Sequence, residues 1–440
     1  MRNMYKLWLF VIILPGLILG QINVSGELTP LAMLRISDGS LLDLPFRLGH
    51  LKVDYAYGDF EFKTNTSIET RWKDLNLSED LVTLREAYLI WYPSFGEVKL
   101  GKMIHAWGAA DANNPTDNLS PYDFYYMFLT GTDRKLGTLS VSSLVYAGDF
   151  QLELVVLPDF VANRIPYNEE DFPIKIELPP GAVTIEPENA LEVGAKIKYA
   201  MGLGDISVSL FDGYDHMLSS AGIGLEMSPA FELTLLPQLS YRKTRMYGLD
   251  GVFFPGNWTI RGEIAYFQTE TPELELAASL ISTEAAYLQS VVQVEYSFSN
   301  GLQLMGQFIS TDYGDVTNTF TPDPFFSGLP DSIQQGLQMQ LGAAEFQAGM
   351  GTPFAMIAER VLVASSMFEM FDSSLELRAM VMLNLDETGT MMSLGSTYSI
   401  VEGLGLDAGI SYFIGGDEPG NSFKELENFS NLTLGLTYNF

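Results

Sequence analysis

Residues Ala190–Ala200 read ALEVGAKIKYA, and their side chains alternate between two faces. One face carries Leu, Val, Ala, Ile and Tyr, and the other carries Glu, Gly and two Lys. A period of two is typical of a β-strand with one face in an apolar environment. The stretch therefore predicts a half-buried strand.

The same alternation recurs along the chain, as in Phe60–Trp72, Val292–Phe298, Leu375–Asn384 and Asn431–Phe440. It predicts 18 strands, most of them longer than the ~5–6 residues usual in soluble sheets. Their length suits a tilted membrane crossing, which needs ~9–11 residues. The predicted strands are 24–36, 46–58, 59–72, 81–93, 95–107, 135–147, 149–159, 190–202, 204–216, 237–254, 257–269, 284–299, 301–313, 353–367, 372–385, 390–401, 404–414 and 430–440.

Short and long connections alternate between these strands, the long ones being 37–45, 73–80, 108–134, 160–189, 217–236, 270–283, 314–352, 386–389 and 415–429. An even strand number with short turns on one rim and long loops on the other is typical of outer-membrane barrels. We therefore predict an all-β fold: a transmembrane, antiparallel, up-and-down β-barrel with short periplasmic turns, long extracellular loops and both mature termini in the periplasm. A secreted soluble sandwich is the alternative, but it has no reason to sort its connections in this way.

The first 20 residues have the features of a secretory signal peptide. Arg2 and Lys6 precede the apolar run Leu7–Leu19, and the small residue Gly20 follows it. The run is short for a ~20-residue membrane span, although an N-terminal anchor remains the alternative. We predict a signal peptide at 1–20 and one barrel domain at 21–440, into which a loop at 108–134 is inserted.

The composition restricts the partners and the chemistry. With 24 Lys and Arg against 55 Asp and Glu, the net charge is −31, which argues against nucleic-acid binding. There is no cysteine, and the three histidines have no metal-ligand spacing, so we expect neither a metal nor a cofactor. Basic residues fall mainly in strands, and the candidates for lumen charges are Arg47, Lys63, Arg71, Lys99, Lys102, Lys196, Lys198, Arg261, Glu263 and Arg378.

The third long connection begins WGAADANNPTDNLSPYDF at Trp107 and contains several carboxylates. An EF-hand would need Gly at Thr116 and a bidentate Glu at Tyr122, so the calcium pattern fails. His105 and a nearby carboxylate could form a base and its partner, but no nucleophile motif accompanies them, and we expect no enzyme. The Asn-Pro and Ser-Pro pairs favour a compact, turn-rich loop instead.

Residues 84–124 resemble a poorly characterised family of Gram-negative outer-membrane barrels, similar in plan to alginate-export and substrate-selective porins. The resemblance is carried by Gly101-Lys102, Trp107-Gly108 with Asp111, and Asn114-Pro115 with Asp117. The usual Gly-Arg-Gln is here Gly101-Lys102-Met103, so no role of that Gln is carried over. The resemblance implies an outer-membrane channel. Tyr438 and Phe440 likewise resemble the C-terminal signal that the barrel-assembly machinery reads.

In porins with a long third loop, that loop bends inward and narrows the lumen. We expect the same here, with Asp111, Asp117 and Asp123 facing Lys99, Lys102 and Arg71 and producing a transverse field. A loop that plugs the barrel or caps its mouth is the rival hypothesis. The candidate constriction residues are Trp107, Gly108, Asp111, Asn114, Pro115, Asp117 and Asp123.

The predicted function is a passive porin-like channel for small hydrophilic solutes, anionic solutes among them. The alternatives are a non-conducting surface barrel that acts as an adhesin or structural protein, and a transporter of hydrophobic substrates. The expected partners are outer-membrane lipid, lipopolysaccharide, the assembly machinery and small-molecule solutes. Both a monomer and a homo-oligomer fit the pattern.

Overall fold

The computed structural model describes residues 20–73, 82–111, 113–188, 190–227, 233–272, 279–321, 346–353, 358–418 and 420–440. Residues 1–19 of the predicted signal peptide and residues 354–357 of the predicted strand 353–367 lie outside the described residues. Within those ranges, no helix is long and apolar enough to cross a membrane.

The strands are β1 (Gln21–Leu28), β2 (Leu31–Arg35), β3 (Phe46–Tyr57), β4 (Phe60–Thr70), β5 (Val82–Trp91), β6 (Gly96–Met103), β7 (Thr138–Ala147), β8 (Phe150–Leu157), β9 (Val183–Ile185), β10 (Glu192–Met201), β11 (Gly204–Met227), β12 (Leu233–Phe253), β13 (Trp258–Glu270), β14 (Ser279–Ser297), β15 (Leu302–Thr321), β16 (Arg360–Met370), β17 (Leu375–Asn384), β18 (Gly389–Val401), β19 (Leu404–Gly415) and β20 (Asn431–Asn439). A short helix, α1 (Ser422–Leu426), and 3₁₀ turns at Phe124–Tyr126, Gly131–Arg134 and Glu427–Phe429 lie in the connections.

These strands close into one antiparallel barrel. β1 and β2 act as a single strand interrupted at residues 29–30, because both pair with β20, at Glu27↔Asn439 and Leu31↔Gly435. The three-residue strand β9 belongs to a loop and pairs in parallel with β12. In the part of the chain that the structure describes, the ring therefore has 18 strands, which confirms the predicted fold class.

Four strands are longer than the sequence pattern predicts. β11 continues to Met227, β12 begins at Leu233, β14 begins at Ser279 and β15 continues to Thr321. The predicted loops 217–236, 270–283 and 314–352 were therefore too long. Beyond the bilayer a strand has no lipid-facing side, so the alternation that marks a strand fades while the backbone ladder continues.

The outward face is apolar and the inward face is largely polar. The outward side chains Leu249, Ile264, Leu394 and Leu434 are all exposed on the surface of the barrel, as expected of side chains that face lipid. Aromatic side chains gather on the short-turn rim, as at the interface girdles of membrane barrels. Examples are Tyr57, Phe60, Trp91, Tyr146, Phe150, Phe253, Trp258, Tyr398, Tyr438 and Phe440.

Candidate functional site: the loop that crosses the lumen

Residues 104–137, which we call loop 3, connect β6 to β7 and fold into the barrel. Their firmest attachment is Glu263, which lies on the inward face of β13 and is buried. Its Oε1 accepts hydrogen bonds from the backbone N–H groups of Ala109 and Ala110, each at 2.6 Å. Its Oε2 accepts a hydrogen bond from the Thr116 hydroxyl at 2.8 Å. One carboxylate therefore holds two separate turns of the loop against the wall.

Inward side chains of β13–β15 extend this attachment. Arg261 donates to Asp111 Oδ1 at 2.6 Å, and the Gln293 amide donates to Asp111 Oδ2 at 2.8 Å. Asn113 donates to Gln307 at 2.9 Å, and Gln307 in turn donates to Gln293 at 2.7 Å. The predicted constriction residue Asp111 thus meets a basic residue, but that residue is Arg261.

The Trp107-Gly108 pair is explained by close packing. The Trp107 indole N–H donates to Glu153 at 3.0 Å, and a Cβ added at Gly194 of β10 would lie 2.8 Å from its ring. Gly108 has φ +98°, and a Cβ there would lie 2.7 Å from a Glu263 oxygen. The loop can approach the wall this closely because both glycines lack a side chain.

The Asn114-Pro115-x-Asp117 segment forms a buried turn. The Asp117 N–H donates to the Asn114 carbonyl at 3.1 Å, and the Asn114 side chain donates to the Trp107 carbonyl at 3.2 Å. Asp117 forms an ion pair of 3.4 Å with Lys135, which lies in the same loop. Asn118 donates to the Pro115 carbonyl at 2.7 Å. These residues shape the loop itself, and Asp117 does not face a basic strand residue.

The other part of loop 3 contacts β3 and β4. Asp123 lies 3.2 Å from Arg164, which belongs to the 158–191 connection, and 3.8 Å from Arg47 of β3. Arg164 also binds Glu69 of β4 through both terminal nitrogens, at 2.6 and 2.8 Å. The Tyr126 hydroxyl donates to Glu69 at 2.7 Å. Asp123 therefore sits among arginines, but these are Arg164 and Arg47 where Arg71 was expected.

The two attachments lie on opposite sides of the barrel. With β1 and β2 counted as one strand, β3 and β4 are the second and third strands of the ring, and β13 and β14 are the eleventh and twelfth. Half of an 18-strand ring separates them. Loop 3 therefore contacts both ends of a diameter of the lumen.

Burial shifts the pKa of several ionisable groups of loop 3, among them His105 and Asp123. Burial, with a smaller contribution from the Lys99 charge, lowers the pKa of His105 to about 4. The ring lies 2.8 Å from the Ser140 hydroxyl of β7. Burial raises the pKa of Asp123, which Arg164 and Arg47 oppose. His105 is therefore a neutral buried imidazole near pH 7 and fixes the start of the loop.

Most of the other predicted lumen charges lie on the inward faces of strands and form ion pairs. Those nearer the short-turn rim are Lys63–Glu61 at 3.2 Å, Lys99–Glu97 at 3.3 Å, Lys198–Asp205 at 3.4 Å and Arg378–Glu376. Lys196 is buried and lies 3.1 Å from Asp250. Arg71 binds Glu169 of the 158–191 connection at 2.6 Å.

Lys102 is the exception. It pairs with Leu139 on β7 and shares the outward face of β6 with Leu100, so it does not line the lumen. The prediction counted strand lysines as lumen charges without following the alternation through Gly101. Tyr438 and Phe440 are exposed on the outward face at the short-turn rim, with their rings stacked 6.1 Å apart.

The sequence pattern did not reveal an apolar cluster inside the barrel. Inward side chains of β14–β19 join side chains from loop 3, from the 158–191 connection and from α1 and the 3₁₀ turn after it. The signal that could have found it is the run Val361–Val363, which is apolar on both faces. The cluster includes Tyr122, Phe124, Met127, Phe172, Ile309, Val361, Val363, Met382, Met391, Phe413, Phe423, Leu426 and Phe429.

No protein-family model matches the chain, and no curated protein is similar to it in sequence. The family suggested by the Trp107-Gly108 and Asn114-Pro115 motifs therefore stays a prediction.

Solved structures do match. OccK11 (OpdR) of Pseudomonas aeruginosa is 13% identical, with a TM-score of 0.49 over 95% of this chain and 96% of that chain. The trimer form of OmpT, an outer membrane protein of Vibrio cholerae, is 13% identical, with a TM-score of 0.42 over 96% and 99%. A BenF-like porin from Pseudomonas fluorescens Pf-5 is 10% identical, with a TM-score of 0.50 over 96% of this chain and 98% of that chain. The likeness to the BenF-like porin covers the whole barrel, and it shows that this chain has a porin-type barrel fold.

Proposed function

We propose that this protein is an outer-membrane channel for small hydrophilic solutes, and that loop 3 narrows its lumen. The observation that supports the proposal is the attachment of loop 3 to opposite walls, through Glu263 on β13 and through the Arg164–Glu69 pair at β4. A segment held across a diameter takes up part of the cross-section that is available to a solute.

The short-turn half of the lumen supports passage of polar solutes. Its wall carries the ion pairs of Lys63, Lys99 and Lys198, whose side chains are each about one-third exposed. Alternating charges that remain hydrated suit a water-filled passage, and 16–18 strands leave room for one. We infer an outer-membrane location, a periplasmic short-turn rim and a non-enzymatic role, and the porin-type barrel supports the location.

One feature of the structure supports the expected preference for anions, and another opposes it. The lumen lysines favour anions, whereas the long-loop rim carries exposed acids such as Glu170, Glu186, Glu188 and Asp417. Acidic oxygens at that rim also suit divalent cations that bridge to lipopolysaccharide. We infer that the Arg261–Asp111 pair, where loop 3 meets the wall, contributes to the charge preference.

The test is the conductance of the purified mature protein in a planar bilayer, with the reversal potential measured in a salt gradient. Discrete conductance steps are expected. A folded, heat-modifiable barrel that gives no steps would refute the channel and would favour the adhesin, for which the acidic rim is the contact surface. The apolar cluster inside the barrel is the observation that favours the hydrophobic-substrate transporter as the second candidate.

A further inference from the structure

The backbone ladder of the barrel wall is incomplete at the long-loop end of β19. β19 pairs with β20 from Leu404↔Tyr438 to Ser411↔Asn431, yet β19 continues to Gly415. Beyond this point side chains from the connection between the two strands satisfy its N–H groups. The Phe413 N–H donates to Ser430 Oγ, and the Gly415 N–H donates to Glu427 Oε1, both at 3.0 Å. The wall is therefore closed here by side chains instead of by a neighbouring strand.

A cavity of about 640 Å³ lies against this unpaired edge. Phe413 of its lining faces inward and is buried, whereas Tyr412 and Ile414 face outward and are 46% and 39% exposed. Ile36, which follows β2, is another exposed lining residue. The residues that line the cavity therefore include some that face outward, toward lipid, and some that face the interior.

The floor of the cavity is apolar and continues inward. Phe172, Phe413 and Phe429 line it, and all three belong to the apolar cluster inside the barrel. The Phe429 ring stacks on Phe128 of loop 3 at 5.8 Å. Apolar contacts thus connect the floor of the cavity to loop 3.

Of the charged residues that line the cavity, Arg35, Asp171, Lys424 and Glu427 are paired, and Glu170, Lys175 and Glu425 line it as well. Arg35 binds Asp171 at 2.6 Å and the Asn428 carbonyl at 2.7 Å. Lys424 lies within 3.3 Å of both Asp417 and Glu427. An ionic ligand on the inner side of the cavity would have to displace the largely buried Arg35–Asp171 pair, whereas an uncharged apolar ligand would leave it in place.

We propose that this cavity is a binding site for an uncharged, largely apolar small molecule, with at most a small polar end, that arrives dissolved in the membrane. The size fits, because small-molecule sites usually measure ~300–1,000 Å³. Membrane access follows from Tyr412 and Ile414, which lie on the lipid-facing side. This site is separate from the hydrophilic passage of the proposed channel, and the test below does not use conductance.

The test uses the mature chain in phospholipid nanodiscs and the uncharged fluorophore N-phenyl-1-naphthylamine. Because the chain has no cysteine, Ser37→Cys provides a single thiol for a nitroxide quencher at the cavity lining. Ser94→Cys, in the exposed turn between β5 and β6 on the opposite rim, is the matched control. We expect a saturable fluorescence component above that of empty nanodiscs, quenched several-fold more from position 37 than from position 94.

A cavity-filling variant, Ser37→Trp, should weaken this binding at least tenfold, and Ser94→Trp should leave it unchanged. If Ser37→Trp fails to fold, the nitroxide comparison alone decides. Fluorescence no greater than that of empty nanodiscs, or equal quenching from both positions, would overturn the site. Tighter binding of the anionic 8-anilinonaphthalene-1-sulfonate would overturn the assignment of an uncharged ligand.

Discussion

Glu263 and Ala110 are joined by a 2.6 Å hydrogen bond between the inward face of β13 and the backbone of loop 3, 153 residues apart in the chain. The same carboxylate oxygen also accepts the N–H of Ala109. The Glu263 carboxylate can be buried because these N–H groups replace the hydrogen bonds that water would otherwise donate to it. The loop and the wall are therefore each stabilised by the other.

Replacing Glu263 by Ala should release this end of loop 3. Each buried donor left without a partner costs ~1–3 kcal/mol, so we expect the unfolding free energy to fall by roughly that amount or more. Single-channel conductance should rise, and loop 3 should become accessible to added protease. Glu369→Ala removes an exposed carboxylate near the short-turn rim and is the control. Equal conductance for the two variants would contradict the constriction.

Gly108→Ala should destabilise the barrel. The positive φ alone costs ~1–2 kcal/mol for a residue with a Cβ, and that Cβ would displace Glu263 from the loop. Gly306→Ala is the matched control, because a Cβ there meets no heavy atom within 4 Å, and its effect should stay within about 0.5 kcal/mol. Urea unfolding in detergent micelles measures both. If both variants lost a similar amount of unfolding free energy, loop 3 would not depend on the tight turn at Gly108.

The Arg164–Glu69 pair should be coupled to loop 3. A double-mutant cycle with Arg164→Gln and Glu69→Gln should give a coupling energy of about 1 kcal/mol, since Arg164 is partly exposed and the pair is screened. The single variants should also raise current noise, because Tyr126 and Asp123 lose partners. The outward pair Arg245–Asp212 is the control, with quiet channels expected after its removal. Equal current noise in the Arg164 and Glu69 variants and in the Arg245–Asp212 control variants would argue that this pair does not hold loop 3 in place.

The lumen lysines should affect ion selectivity. Replacing Lys63, Lys99 and Lys198 together by Gln leaves Glu61, Glu97 and Asp205 without their cations, so the reversal potential should shift toward cation selectivity. Lys102→Gln removes the same charge type from the outward face and should leave the reversal potential unchanged. An unchanged potential in the triple variant would place the selective step elsewhere.

Stability should fall in acid because of His105. Its folded pKa of about 4 lies below the ~6.5 of an unfolded histidine, so its contribution is present above pH 6.5 and is lost as the pH falls toward 4. Between pH 7 and pH 5 the loss should be about 2 kcal/mol. Urea unfolding at both pH values measures it, and His105→Gln should flatten the difference. The same slope in wild type and variant would contradict this assignment.

The ring of 18 strands was predictable because each membrane strand carries a lipid-facing alternation that local sequence records, as in Leu191 to Tyr199. The ends of β11 and β15 at the long-loop rim could not be predicted in this way, because outside the bilayer nothing selects apolar residues on one face of a strand. Ser219 and Ser220 of β11 illustrate this, being polar on both faces.

The sequence predicted where loop 3 lies in the chain, but it did not predict which residues its carboxylates would bind. Trp107, Gly108 and Asp111 were identified by their motif, yet Asp111 meets Arg261 because a long loop selects partners through its three-dimensional path. Asp117 pairs within its own loop for the same reason. The apolar interior was missed because Val361 and Val363 face inward, where the pattern of a barrel predicts polar residues.

A segment fixed at both ends of a diameter also sets the shape of the wall around it. In a ring of strands with no crossing segment, only the wall itself resists flattening when the surrounding lipid presses unevenly from the side. With Glu263 on one wall and Glu69 on the other joined through loop 3, the distance between these walls is fixed. Loop 3 thus acts as a cross-brace, and the barrel should keep a round outline across bilayers of different lateral pressure.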